Sequence, residues 1–360
     1  MVPEEVRTQG STTTPLRFGI FDWIDHNGSE IADLYEQRLR FLEYADNAGF
    51  YCYHLAEHQC TPLGMAPSPG VFLAAAAQRT RHIHLGPLVY LLPIYNPLRL
   101  IQEICMLDHL SRGRLELGIG RGISPYELAF YNVDARESRD MFHETLEIIT
   151  SGLATGEVSH EGRYFSFKDV HLQIRPLQRP YPPLWYPTGN PDSIRWLAAE
   201  GLNTISHYPP MTEIREHFEL YKNVWSEHEG RSDRLNAHVP DPKYGIVRHI
   251  YVADSDAQAL KDAKAAFAHF IHNFNYLRSV HGDTSGRAEY LADFEARMAD
   301  GLHIVGSPQT VLARVKEHIA MTGCNYFVGS FFFGTLSPEQ TMNSLRLFAQ
   351  EVMPAFRPAE

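Results

Sequence analysis

The residues best placed to do chemistry lie in Gly118-Ile-Gly120-Arg121-Gly122, an arginine set between glycines where an apolar run stops. Missing side chains on both sides let backbone come close to an anion while a guanidinium fork binds it, which suits a phosphate. A second anion site is read at Thr188-Gly189-Asn190-Pro191-Asp192-Ser193. Asn190 can cap a helix, Pro191 fits its first position, and Ser193 offers a hydroxyl in a first turn whose free amides attract phosphate. Asp192 opposes that use unless it turns away. Arg139, in the first turn of the helix after the Arg121 loop, offers a second arm on the same anion. The glycines mimic a dinucleotide fingerprint only loosely, because the third comes one residue early.

His54-Leu-Ala-Glu57-His58 fits an H-x-x-E-H zinc pattern. That motif needs a helix, where residues four apart lie ~6 Å apart along one face. Here it follows Phe50-Tyr-Cys-Tyr, a run of strand formers. Four residues of strand span ~13 Å, too far for one zinc to reach both imidazoles. The same geometry puts His58 at the carboxyl end of a strand, beside Glu57 and facing the ligand crevice of an α/β fold.

Strand and helix alternate along the chain. Candidate strands are 16–21, 50–56, 83–91, 114–120, 183–188, 202–207, 244–252 and 326–331, near-continuous apolar runs of the kind buried on both faces of a parallel sheet. Between them, Ile214, Phe218, Tyr221 and Trp225 recur at helical spacing, as do Leu260, Ala263, Phe267, Phe270 and Phe274. Ser337-Pro338-Glu339-Gln340 reads as a capping box that opens a last helix, with Met342, Leu345, Phe348 and Val352 turned inward. Eight βα pairs point to a single-domain (β/α)8 barrel over 16–356, with an open doubly wound sheet as the rival. Two stretches interrupt the pattern and read as rim insertions: 156–182, a hairpin turning at His160-Glu161-Gly162, and 275–302, a polar segment suited to a lid.

Composition narrows the class. The chain has 360 residues, 44% of them hydrophobic, and a net charge of −11 without any Lys/Arg run, which excludes an electrostatic nucleic-acid binder. Residues 1–15 are polar and read as an extended or disordered segment, not a signal peptide. No apolar run is long enough to span a bilayer. The four cysteines lack C-x-x-C spacing, in keeping with reduced thiols in a cytoplasm. No nucleophile elbow and no P-loop occurs.

Ala56-Glu57-His58, Gly86-Pro-Leu-Val-Tyr-Leu-Leu-Pro93-Ile-Tyr-Asn-Pro97 and Gly113-Arg-Leu-Glu-Leu-Gly-Ile-Gly-Arg121-Gly together resemble the bacterial luciferase-like flavin monooxygenases. The likeness continues through Ser138-Arg139, Trp196-Leu-Ala-Ala-Glu-Gly201 and Val305-Gly-Ser-Pro308. It implies a TIM barrel with FMN at the carboxyl ends of its strands. Arg121 and Arg139 would grip the phosphate with the amides of Gly189 and Asn190 and the Ser193 hydroxyl. A non-proline cis peptide under the flavin ring would fall at Leu88–Val89, Tyr208 would be an aromatic near the ring, and Glu127 an acidic residue that affects flavin binding. His58 would assist as acid or base. Gln59 and Gly120 stand where luciferases carry a second histidine and a cysteine. That glycine implies open space above the oxygen-reactive carbon, which argues against light emission.

The resemblance therefore implies a two-component monooxygenase. A separate NAD(P)H:flavin reductase would supply reduced FMN, which reacts with O2 to a C4a-hydroperoxyflavin and oxygenates a small organic substrate. A homodimer built on the early helices is implied as well. The alternatives are a deazaflavin-dependent oxidoreductase of the same superfamily and a flavin-binding protein without catalysis.

Overall fold

The computed structural model describes residues 16–283 and 292–357. The expectations for residues 1–15, and for the middle of the 275–302 insertion, lie outside that range. Eight strand positions form one parallel ring. In chain order they are β1 (Arg17–Asp22), β2 (Cys52–Leu55), a broken third strand of β3 (His84–Pro87) and β4 (Tyr90–Leu91), and β5 (Leu117–Gly120). After the hairpin β6 (Glu157–Glu161) and β7 (Ser166–His171) come β8 (Leu184–Trp185), β9 (Thr204–Ser206), β10 (Tyr244–Val252), β11 (His303–Gly306) and β12 (Tyr326–Ser330). Ladders join β12–β1–β2–β3, β4–β5–β8 and β9–β10–β12. Single parallel bridges, Leu85 to Leu115 and Trp185 to Asn203, complete the circuit. The eight expected strands are all present, several of them shorter than their apolar runs.

β11 is a ninth strand that the sequence pattern did not separate from its surroundings. It pairs with the outer half of β10, from His249↔His303 to Val252↔Gly306, beyond the ring itself. Four residues between a polar stretch and a Ser-Pro helix start leave too short a run for periodicity to register.

The helices are α1 (Ile31–Ala48), α2 (Pro69–Arg79), α3 (Pro97–Leu110), α4 (Pro125–Phe130), α5 (Ser138–Thr155), α6 (Pro191–Ala199), α7 (Met211–Glu227), α8 (Asp256–Val280), α9 (Phe294–Ala299), α10 (Pro308–Thr322) and α11 (Pro338–Leu347). The Ser337 capping box is formed, with Gln340 bonding back to the cap. The hairpin turn lies at Gly162–Phe165, slightly later than expected, because Gly162 N–H bonds to Phe165 O and Glu161 pairs with Ser166. α8 also departs from expectation. It runs on through Leu277 to Val280, and Leu260 is exposed while Ala259 is buried. Ala263, Phe267 and Phe270 are buried as expected, so the stripe is broader than the pattern and differs from it at its first position.

Alternate strand residues divide two apolar regions. One lies between strands and helices; the other fills the barrel, with Phe21, Trp23, Leu88, Trp185, Val247 and Phe333. The amino-terminal end of the barrel is closed by a polar network. Glu116 accepts hydrogen bonds from the Trp185 indole at 2.6 Å and from the Tyr51 hydroxyl, and faces His84 at 3.1 Å. Burial alone would raise its pKa; His84 and the charge of Lys243 bring it down to about 2. His54 belongs to this interior, bonded through Nε2 to Tyr326 at 2.9 Å, and burial lowers its pKa to about 4.

The first βα unit is held by a buried ion pair, Arg38 to Asp22 at 2.9 Å, with Tyr53 and the Ile24 amide also donating to Asp22. Replacing Arg38 with Met keeps the stem but strands the Asp22 charge. The expected loss is ~3–5 kcal/mol in a urea unfolding titration; a loss below ~1 kcal/mol would show that the other donors alone satisfy Asp22.

Candidate active site

Strand β5 ends at Gly120, and Arg121 emerges at the carboxyl mouth of the barrel, largely exposed. Arg139 projects from the first turn of α5. Together with Val89, Leu91, Tyr186, Thr188, Asn190, Ser193 and Trp196 they line one cavity of ≈ 380 Å³. Both guanidinium charges reach Tyr186, where they oppose the upward push of burial on its hydroxyl. Neither arginine has a carboxylate partner among the described residues. Two unpaired guanidiniums on one cavity wall form a donor set made for a dianion.

Two grooves of similar size do not compete. One is lined by Asp254, Asp262 and Glu339 against a single arginine, Arg346. The other, beside Cys60 and Met65, has neither arginine nor lysine.

The start of α6 differs from expectation. Asn190 caps it, but its Oδ1 accepts the amides of Asp192 at 2.9 Å and Ser193 at 3.2 Å, and its own amide donates to Thr188 Oγ1 at 3.1 Å. Pro191 has no amide hydrogen to offer. The amides of Asn190, Asp192 and Ser193 are therefore already engaged, and Asn190 and Ser193 line the cavity. Gly189 is exposed and lies outside the cavity lining, while Asp192 is part of that lining.

The Leu88–Val89 peptide is cis. Leu88 is buried in the barrel interior and Val89 faces the cavity, so neighbours in one segment touch both compartments. Gly118 and Gly120 make room for this segment. A Cβ on Gly118 would meet the Pro87 carbonyl, and one on Gly120 would collide with Cγ2 of Val89. The position a side chain at residue 120 would take is thus occupied by Val89.

His58 does not line the cavity but stands beside it. Its Nδ1 bonds to Glu127 Oε1 at 3.0 Å, with Glu127 buried at the start of α4 and the His58 side chain 26% exposed. Sequence reasoning named both residues without linking them, since 69 positions separate them. It named Glu57 next door without giving it a role. Buried Glu57 accepts from the Leu91 amide at 2.9 Å, the Tyr95 hydroxyl at 2.9 Å and the Gln59 amide at 2.7 Å. Burial, outweighing those donors, raises its pKa to about 8. Glu57 thereby ties the β2 loop to the segment after Val89. Gln59 also accepts from Tyr131 at 2.7 Å, so α4 and the His58 loop form one assembly. His54 and His58 have separate partners, as the strand geometry requires. Among the described residues, no three His, Cys, Asp or Glu side chains are grouped to hold a metal.

Tyr208 lies apart from the arginine cavity. It stacks on His207, with ring centroids 4.1 Å apart, in an aromatic cluster under α8.

Residues 16–325 match the model of the luciferase-like monooxygenase family. The chain belongs to that family. It is 37% identical over 338 residues to an uncharacterized protein of Sinorhizobium fredii, covering 94% of this chain and 96% of that one. It is 26% identical over 354 residues to the oxygenase component of the flavin-dependent trigonelline monooxygenase of Acinetobacter baylyi, covering 95% and 96%. Its fold matches the oxygenating constituent of 3,6-diketocamphane monooxygenase from Pseudomonas putida, a type II Baeyer–Villiger monooxygenase solved with FMN. That match has a TM-score of 0.78 at 21% identity and covers 94% of this chain and 98% of the other. This luciferase-like protein is accordingly an oxidoreductase of the flavin-dependent monooxygenase kind.

The fit between Gly120 and Val89 can be tested directly. Gly120→Ala should destabilise the protein by ~1–3 kcal/mol, the usual cost of overpacking, because valine is stiff at χ1. Adding Val89→Ala should recover most of that loss in a double-mutant cycle; simple additivity would show that the two sites are not coupled.

Proposed function

We propose that this chain is the oxygenase component of a two-component system, binding reduced FMN from a separate NAD(P)H:flavin reductase and using O2 to oxygenate a small organic substrate. The observation that carries the reading is the cavity whose wall holds Arg121 and Arg139 without counter-ions. A phosphate monoester dianion would supply the missing charge and accept the two forks. The residues present fit FMN: Arg121 and Arg139 for the phosphate, Ser193 and Asn190 as polar side chains beside it, and the Leu88–Val89 segment as a seat for the ring, with Tyr208 and Gly189 farther out. When bound, reduced flavin supplies the oxygen-activating chemistry.

The remaining work belongs to this chain. His58 donates Nδ1–H to Glu127, which fixes the ring and leaves Nε2 to hold or move a proton at the mouth. Glu57 keeps the β2 loop registered against the ring seat. The aromatic interior excludes water from the reacting face.

The decisive experiment mixes anaerobically reduced FMN and protein with oxygenated buffer in a stopped-flow spectrometer, with a deazaflavin titrated in parallel. A flavin transient that outlives the one seen with free FMN is expected. Immediate reoxidation together with tight deazaflavin binding would instead identify a hydride-transfer enzyme. Arg121→Ala should weaken FMN binding by ~1.5–3 kcal/mol, a roughly 10- to 150-fold rise in Kd. His58→Ala should bind FMN normally and lose roughly 100-fold or more in turnover.

The homodimer is part of the same proposal. α2 and α3 pack together and leave Val71 at 73%, Met106 at 52% and Leu110 at 41% exposure, an apolar face on the early helices. Sedimentation velocity should give twice the chain mass, and Met106→Glu should lower it; a monomeric wild type would refute the dimer.

A further inference from the structure

Across the mouth from the arginine cavity, polar groups collect that the flavin site does not use. His207 follows β9, His249 lies on β10, His303 opens β11 and Ser330 closes β12. The register pairs His249 with both His303 and Ser330, so their side chains share the inward face of the sheet. The imidazoles are close, with ring centroids 5.5 Å apart for His207 and His249 and 5.2 Å for His249 and His303. Nε2 of His207, Nδ1 of His249 and Oγ of Ser330 are buried without a hydrogen bond, and the His303 ring has no partner beyond the carbonyl of its chain neighbour Leu302. So dense a set of orphaned polar atoms is costly and calls for a partner.

The surroundings restrict what that partner is. Trp23 stacks on His249, with centroids at 5.3 Å and planes 10° apart, and Phe267, Phe270, Phe294 and Phe333 close the other sides. These flat faces pack on the imidazoles and on one another, and would stack on a planar ring once parted. Burial holds the three imidazoles neutral, each with one N–H to give. Arg248 lies behind them, fully buried, its Nη1 bonded only to the carbonyls of His207 and Val247 and with no carboxylate partner among the described residues. Its positive charge bears on all three rings, so the field inside the socket favours negative charge.

We propose that this socket binds the substrate of the flavin site, and that the substrate is a planar aromatic ring carrying an anionic oxygen, an aryl carboxylate or phenolate. This rests on the flavin reading above. The void between the histidines is only ≈ 10 Å³, about one water, so binding a ring requires the aromatic face of α8 to part from the strands. Leu88 belongs to the same interior cluster as Trp23, while Val89 faces the arginine cavity, which sets a bound ring next to the flavin seat.

The test is isothermal titration of the full chain, with and without FMN, using 4-hydroxybenzoate, benzamide and camphor. 4-Hydroxybenzoate should bind at least tenfold tighter than either neutral compound. His249→Leu and His303→Leu, close to histidine in volume, should each erase at least tenfold of that preference while the FMN Kd stays within twofold. Because each change removes a buried orphan, the melting temperature should hold or rise; a fall with ligand preference intact would make the histidines structural and overturn the proposal. Equal or tighter binding of the neutral compounds would also overturn it. Absence of 4-hydroxybenzoate binding beside normal FMN binding removes the socket and leaves the flavin reading. The converse result removes the flavin reading and leaves the socket.

Discussion

The close approach of β5 to the broken third strand sets the rest of this site. Gly118 and Gly120 have no side chains because the Pro87 carbonyl and the Val89 isopropyl group occupy that space. A tighter barrel wall follows, with Tyr90 opposite Ile119 and Leu91 opposite Gly120. Arg121 then leaves the sheet where the cavity begins, and Val89 becomes part of its floor. Glu57 secures the arrangement from the neighbouring strand by bonding the Leu91 amide and the Tyr95 hydroxyl. A larger residue at position 120 would push the floor outward before it touched any ligand.

Charge is distributed to match. Asp22 and Arg38 are paired and buried, and Glu116 is wrapped in donors, so the lower barrel is electrostatically closed. At the mouth, Arg121 and Arg139 form no ion pair among the described residues, although Asp192 lines the same cavity, in a chain whose net charge is −11. Carboxylates were available in number, and none pairs with these two guanidiniums among the described residues. Exposed guanidiniums hydrate readily, so leaving them unpaired costs little stability and preserves affinity for an anion.

Much of this was readable beforehand. Eight apolar runs, the Ser337 capping box and the glycine-flanked Arg121 all carry local signals, and the local structure agrees with them. Relations between distant residues were not readable. The His58–Glu127 bond joins β2 to α4, and the filling of the Gly120 position by Val89 depends on the third strand bending inward. The α6 start shows a different limit. Asn190 and Ser193 were found because caps have a spacing, yet the cap itself engages the first-turn amides of Asp192 and Ser193. β11 went unseen because a four-residue strand has no period to detect.

The two halves of the mouth obey opposite rules, and this argues that they serve different ligands. The arginine side is open, charged and wet, where binding comes from charge-assisted hydrogen bonds at modest desolvation cost. The histidine side is dry and nearly closed, where an unmatched polar atom is a standing penalty until a complementary group arrives. A single small ligand could not satisfy both. A long one with an anionic tail and a flat ring could occupy the first and reach the boundary at Leu88–Val89, leaving the second for another flat molecule. The partition is drawn by one dipeptide, with Leu88 facing inward and Val89 facing the cavity. Selectivity on the histidine side can therefore change through His249, His303 or Phe267 without disturbing the grip of Arg121 and Arg139, because the shared wall is held by β5 and not by either pocket.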